Sequence, residues 1–316
     1  MGWLPGSFLL LALICAAIWF WALNNQSVAT LNALDRLFGD ERVEQVAGPV
    51  AYGDEAAQKL HVYRASASGD GPEAGLQPVL IFIHGGSWQF GDPADYAFVA
   101  RSFAPEGFIV VNTGYRLGEN GRFPAMLQDS AAALRWVHDN IARFGGDPRR
   151  IYLMGHSAGA YNAAMLGLDP QWLAAEGLRI DILRGVIGLA GPYDFYPFDS
   201  DPTRAAFGSA PDPLATQPVR FARADAPPML LATGGADTTV KPRNTHALAT
   251  ALSAAGLPTQ AVVFGGMTHS GIIMALARPF DRDGKVRGRI LRFIERTRAE
   301  AGAKMETGTS GTGAAE

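Results

Sequence analysis

The first pattern along the chain is an unbroken apolar one. From Trp3 to Leu23 no residue is charged, and Phe8–Leu23 is almost wholly apolar. At a helical rise of ~1.5 Å per residue, about 20 such residues just span a hydrocarbon core of ~30 Å. Trp19 and Trp21 suit the membrane interface near the end of the run. Residues 1–23 therefore read as an N-terminal hydrophobic helix acting as a transmembrane anchor. Because Ser27-Val28-Ala29 offers a small-x-small cleavage site, they read equally well as a signal peptide. Either reading predicts a membrane-anchored or exported (periplasmic or extracytoplasmic) protein. Arg36 and Arg42 follow the span and nothing basic precedes it, so positive charge does not select an orientation.

After this run the pattern becomes polar and mixed. Residues 24–44 read as a linker, residues 45–300 as the folded domain. The first strand signal is Lys59–Arg64, where apolar and polar residues alternate as in a half-buried edge strand. Beyond a turn-rich loop at 65–72 come continuous apolar runs, as strands covered on both faces require. They are Val79–Ile83, Phe108–Asn112, Ile151–Met154, Val186–Ala190, Met229–Thr233 and Ala261–Phe264. Helical periodicity separates several of them, at Met126–Phe144, Ala158–Leu168, Asn244–Ala255 and Val286–Arg298. Strand and helix in alternation predict an α/β fold, a mainly parallel central sheet flanked by helices on both faces. The small, polar stretch Thr307–Glu316 extends a tail, expected to be disordered, that begins at residue 301.

Composition narrows the function. The chain has 316 residues, 48% hydrophobic and 18% charged, which suits one large α/β domain. Its net charge is −3, with no basic block or aromatic-laced basic stripe, which argues against nucleic acid as a partner. The single cysteine, Cys15, lies in the apolar run. The domain therefore has no disulfide, no cysteine-based zinc site and no thiol nucleophile. Nothing calls for a metal or an organic cofactor.

The chemistry starts at Gly155-His156-Ser157-Ala158-Gly159, between a predicted strand and a predicted helix. A G-x-S-x-G turn there lifts the serine oxygen above the sheet, and the flanking residues must be small for the chains to pass. Ser157 is the candidate nucleophile. Upstream, Ile83-His84-Gly85-Gly86-Ser87-Trp88 follows a buried strand. Glycines there bring backbone N–H groups close to a developing oxyanion. Gly85 and Gly86 are the candidate donors, joined by the N–H of Ala158. His84 is expected to brace this loop and His156 to be structural.

The acid and base should follow the serine in the order Asp/Glu, then His. Asp237 and His269 each lie just after a predicted strand, at the edge where open parallel sheets bind ligands. They are the candidate orienting acid and general base, with Asp194 as the rival acid. His61, His138 and His246 fall on predicted strands or helices. Trp88, Tyr161, Tyr193 and Phe195 are candidates to line a substrate pocket, and the Pro- and Asp-rich stretch 195–226 lies where a cap could be inserted.

Together His84–Trp88, Tyr115-Arg116-Leu117, Phe123-Pro124-Ala125, Asp129, Trp136, Gly145–Pro148, Gly155–Gly159 and the Asp237/His269 pair resemble the carboxylesterase/lipase branch of the α/β-hydrolases, over residues 45–298. Ser87 stands where hormone-sensitive-lipase-like members usually have a third glycine. In that respect the chain resembles the BD-FAE-like esterases and the kynurenine formamidases. The resemblance implies a triad of Ser157, Asp237 and His269, an acyl-enzyme intermediate and a small-molecule ester substrate. It also implies an alternative, an arylformamidase-type amidase acting on an N-formylkynurenine-like substrate. A third reading is a non-catalytic binding module on the same fold. Arg116, Asp129 and Asp147-Pro148 read as scaffold, since buried polar groups normally satisfy neighbours rather than react.

Overall fold

A computed structural model describes residues 28–38, 42–66, 75–257, 259–281 and 283–309. The N-terminal hydrophobic helix expected at 1–23 lies outside the described residues. Among the described residues no helix is long and apolar enough to cross a membrane.

One sheet of eight strands organises the domain. The strands are β1 (Val43–Ala51), β2 (Lys59–Ala65), β3 (Gln77–Ile83), β4 (Ile109–Thr113), β5 (Gly146–His156), β6 (Leu183–Leu189), β7 (Met229–Gly234) and β8 (Gln260–Phe264). Their order is β1-β2-β4-β3-β5-β6-β7-β8. β1 pairs antiparallel with β2 and β2 antiparallel with β4; the remaining pairs are parallel. All seven strands expected from the apolar and alternating runs are present, and β1 is an addition.

The helices are α1 (Val28–Leu37), α2 (Ala97–Phe103), α3 (Ala125–Asn140), α4 (Ala158–Leu168), α5 (Gln171–Ala175), α6 (Asp201–Phe207), α7 (Arg243–Ala254), α8 (His269–Met274) and α9 (Lys285–Thr309). Alternation along β3 shows how the sheet supports two cores. Val79, Ile81 and Ile83 pack on one face with residues of α3, α4 and α7, while Leu80 and Phe82 pack on the other with residues of α2, α8 and α9. Burial on both faces is what selects continuous apolar strands over alternating ones.

The expected linker at 24–44 is corrected by this structure. Val28–Leu37 is helical and docks through Asp35, which is wholly buried. Asp35 pairs with Arg101 of α2 and accepts the Arg278 N–H at 2.7 Å. Arg101 also donates to the Asn32 side chain at 2.6 Å. A buried carboxylate is retained only where its oxygens are satisfied in this way. The tail expected from residue 301 is displaced as well, because α9 runs on to Thr309; residues 310–316 lie outside the described residues.

Two scaffold features keep the loops at the strand ends in place. Arg116 donates to both oxygens of buried Asp129, through Nε at 3.0 and 2.9 Å and Nη2 at 2.7 Å. Asp147 accepts from the Arg149 N–H at 2.9 Å and from Arg150 Nε at 2.8 Å. Both sets of contacts fit a structural role.

Candidate active site

The turn from β5 into α4 is built on close contacts that exclude side chains. A Cβ on Gly155 would strike the Gly159 carbonyl, and a Cβ on Gly159 would strike the carbonyls of Ile83 and His84 at the end of β3. Ser157 at the apex takes φ 54° and ψ −120°, a conformation that L-residues rarely adopt. Its N–H donates to the Leu189 carbonyl on β6 at 2.8 Å. That bond and the glycine contacts impose the strained backbone at Ser157.

The elements meet at one edge of the sheet. Ser157 Oγ lies 2.9 Å from His269 Nε2. His269 Nδ1 lies 2.8 Å from Asp237 Oδ2. Asp237 is buried, and its other oxygen accepts the N–H groups of Thr239 and Val240 at 2.9 and 2.8 Å. With three donors around it, the carboxylate is oriented so that the imidazole presents Nδ1–H to it and the Nε2 lone pair to the serine. Asp194 has no such place. Its N–H donates to Asn244 Oδ1 at 2.9 Å, and the partner of His269 is Asp237.

His156 supports His269 from behind. It is fully enclosed, and desolvation, with a smaller contribution from neighbouring His269, pushes its pKa down to about 3. The ring is neutral, and its Nε2–H donates to the backbone carbonyl of His269 at 3.1 Å. It therefore fixes the main chain from which the His269 side chain projects. Thr268 caps the same turn, accepting the Gly271 N–H at 3.1 Å.

The glycine loop after β3 is rigid for similar reasons. Burial pushes the His84 pKa down to about 4, so Nδ1–H of a neutral ring donates to the Gly85 carbonyl at 2.7 Å. Its ring stacks between Tyr96 and Tyr115, with centroids at 5.7 and 4.7 Å, and Tyr115 donates to the His84 carbonyl at 3.1 Å. Gly85 runs directly beside Ser157, whose Cβ would lie 3.2 Å from a Cβ on Gly85. Gly86 has φ 114°, and a side chain there would strike the Phe90 carbonyl. Ser87 and Trp88 follow at φ 56° and 60°, so the loop holds two further non-glycine residues in the left-handed region. Ala158 is the first residue of α4, where an N–H has no acceptor within the helix.

A cleft of about 210 Å³ opens at Ser157. Trp88 and Phe195 line it, as expected, with Pro192 and Pro202. Tyr161 and Tyr193 do not. Both are completely buried, and Tyr161 sits edge-on beneath Trp88 at 5.5 Å. They are corrected from pocket wall to supporting core: Tyr161, one helical turn past Ser157, and Tyr193, in the loop after β6, pack under the wall rather than in it. Trp88 is fixed further by Phe207 at 4.8 Å and by its N–H to Asn162 Oδ1 at 3.3 Å. The region 195–226 forms short helical pieces, with Phe195, Phe198 and Phe207 packed on one another. The cleft also has a polar side that the sequence reading missed: Asp199, Ser200, Thr203, Thr239, Lys241 and Arg243. Among the described residues no cluster of metal-binding side chains occurs.

Comparison with known proteins gives the family. The family model described as BD-FAE matches residues 70–252, more than half of the chain. The chain belongs to the BD-FAE family. The match takes in the glycine loop, the serine turn and Asp237, and stops before His269. This BD-FAE member is similar to the isoprenylcysteine alpha-carbonyl methylesterase ICME of Arabidopsis thaliana, 29% identical over 252 residues, covering 73% of this chain and 58% of the relative. It is also similar to the esterase LipC of Mycobacterium tuberculosis, 32% identical over 212 residues, covering 60% of this chain and 51% of the relative. The BD-FAE chain thus spans little more than half the length of these curated relatives. Among solved structures, inhibited esterase B from Lactobacillus rhamnosis shares the fold at a TM-score of 0.74 and 19% identity, over 93% of this chain and 99% of that one. Thermogutta terrifontis esterase 2, phosphorylated by paraoxon, aligns at a TM-score of 0.59 and 27% identity, over 72% of this chain and 84% of that one.

Proposed function

We propose that the protein is a serine hydrolase of carboxylic esters. The observation that carries this reading is the unbroken line of hydrogen bonds from Ser157 Oγ through His269 to Asp237. In the proposed reaction Ser157 Oγ attacks the ester carbonyl while its proton passes to His269 Nε2. Asp237 holds the imidazole in the productive tautomer and stabilises the imidazolium that forms. The N–H groups of Gly85, Gly86 and Ala158 receive the oxyanion. As the tetrahedral intermediate collapses, the alcohol leaves with the proton from His269, and the acyl group stays on Ser157. Water, deprotonated by His269, then releases the carboxylic acid and restores the serine. The relatives named as esterases and the partly apolar cleft, with Trp88 and Phe195 on its wall, support small or medium esters as substrates.

Labelling tests this directly. A fluorophosphonate probe is expected to attach to the peptide containing Ser157 in the folded protein, and Ser157→Ala to abolish the adduct. Folded wild-type protein that resists the probe and leaves p-nitrophenyl acetate untouched would sink the proposal and revive the binding-module reading.

We further infer that residues 1–23 serve as membrane anchor or export signal, a reading supported by their uncharged, tryptophan-edged composition. Full-length protein is expected either in carbonate-washed membranes or outside the cytoplasm in a shortened form. Unprocessed chain recovered in the soluble cytoplasmic fraction contradicts both.

A further inference from the structure

The loop from β7 to α7 carries more than the acid. It leaves β7 at Gly235, passes Asp237, whose carboxylate accepts the N–H groups of Thr239 and Val240, and reaches Lys241 and then Arg243, the first residue of α7. Lys241 and Arg243 both line the cleft that contains Ser157. Both side chains are exposed, and among the described residues neither forms an ion pair or hydrogen bond. By contrast, Arg116 is tied up by Asp129, and Arg287 on α9 by Glu106 and Asp281.

The backbone beneath these cations is fixed. Buried Asn244 accepts the N–H groups of Tyr193 and Asp194 at 2.9 Å each, and its own N–H donates to the Lys241 carbonyl at 3.0 Å. The remaining charged residue of the cleft is Asp199, also exposed, so the lining carries two positive charges against one negative. Beside the apolar walls of Trp88, Pro192, Phe195 and Pro202 the field of these charges is less screened than on an open surface. A guanidinium also matches a carboxylate or phosphate with two parallel donors, which fixes orientation as well as sign.

We propose that Lys241 and Arg243 make the cleft selective for esters bearing an anionic group, a carboxylate or phosphate, near the scissile carbonyl. This rests on the esterase reading above and names the substrate class for the same site. Lys241 and Arg243 bind the anionic group and Asp199 disfavours cationic substrates; the bond-breaking steps are unchanged.

Two matched pairs of substrates test it in the full-length protein. On the alcohol side, 3-acetoxybenzoate is compared with 3-acetoxybenzamide; on the acyl side, monomethyl succinate with methyl succinamate. At low salt the wild type is expected to favour the anionic member of at least one pair by about fivefold or more in kcat/KM, mainly through a lower KM. Lys241→Gln and Arg243→Gln should each shrink that ratio, the double variant should bring it close to one, and added salt should do the same in the wild type. Lys241→Glu should invert it. Equal turnover of both members of both pairs overturns the proposal, and so does a preference that survives the double substitution. The esterase reading fails separately, if neither neutral ester is hydrolysed at all.

Discussion

Replacing His269 by Ala is expected to lower kcat for p-nitrophenyl acetate by about 10⁴-fold or more, and Asp237→Asn by about 10³–10⁴-fold. The first substitution removes the group that, among the described residues, lies within hydrogen-bond reach of Ser157 Oγ and can take its proton. The second leaves the volume unchanged but replaces the acceptor facing Nδ1 with an amide. The amide can donate to Nδ1, which moves the ring proton to Nε2 and leaves no lone pair for the serine. Effects within such a line are not additive, so Ser157→Ala/His269→Ala should be no slower than either single variant. Steady-state kinetics with denaturation curves of each variant check the prediction. A folded His269→Ala protein within tenfold of wild type would remove the base from His269.

Much of this site was legible because its parts are local. Ser157 announces itself through glycines two residues away on each side, and those glycines are required by contacts with β3 and α4. Asp237 follows the buried strand β7 and His269 the half-exposed edge strand β8, and in both the end of an apolar run marks the sheet edge. His84 and His156 were also placed correctly as structural groups, since a glycine loop and a tight turn leave their rings nowhere to go but inward.

The misreadings share a different physical origin. Helix α1 holds through Asp35, whose partners Arg101 and Arg278 stand far away in the chain. A short amphipathic segment carries little periodic signal of its own, and its stability comes from that tertiary contact. Strand β1 contains a Gly-Pro and two register irregularities against β2, which blur the alternation that would announce it. Tyr161 and Tyr193 show that residue type alone does not separate the wall of a cleft from the packing beneath it. Lys241 and Arg243 lay in no motif at all; only the fold brings them to Ser157.

Gly159→Ala is expected to destabilise the domain by about 3 kcal/mol or more, a large share of the ~5–15 kcal/mol typical of a folded domain. The added methyl would meet backbone, the Ile83 and His84 carbonyls, and not the movable end of a side chain. Relief requires β3 and α4 to separate. Ile83 pairs with Gly155 across the β3–β5 ladder, so that movement is opposed by hydrogen bonds in the middle of the sheet. The same shift carries Gly85 away from Ser157, so the fraction that folds should also lose much of its activity. Urea denaturation gives the stability and p-nitrophenyl acetate turnover the activity. Gly75→Ala, where a Cβ meets open space, is the control and should change neither by much. If Gly159→Ala melts and turns over like that control, the close passage of the two chains is not what holds Ser157 in its strained conformation.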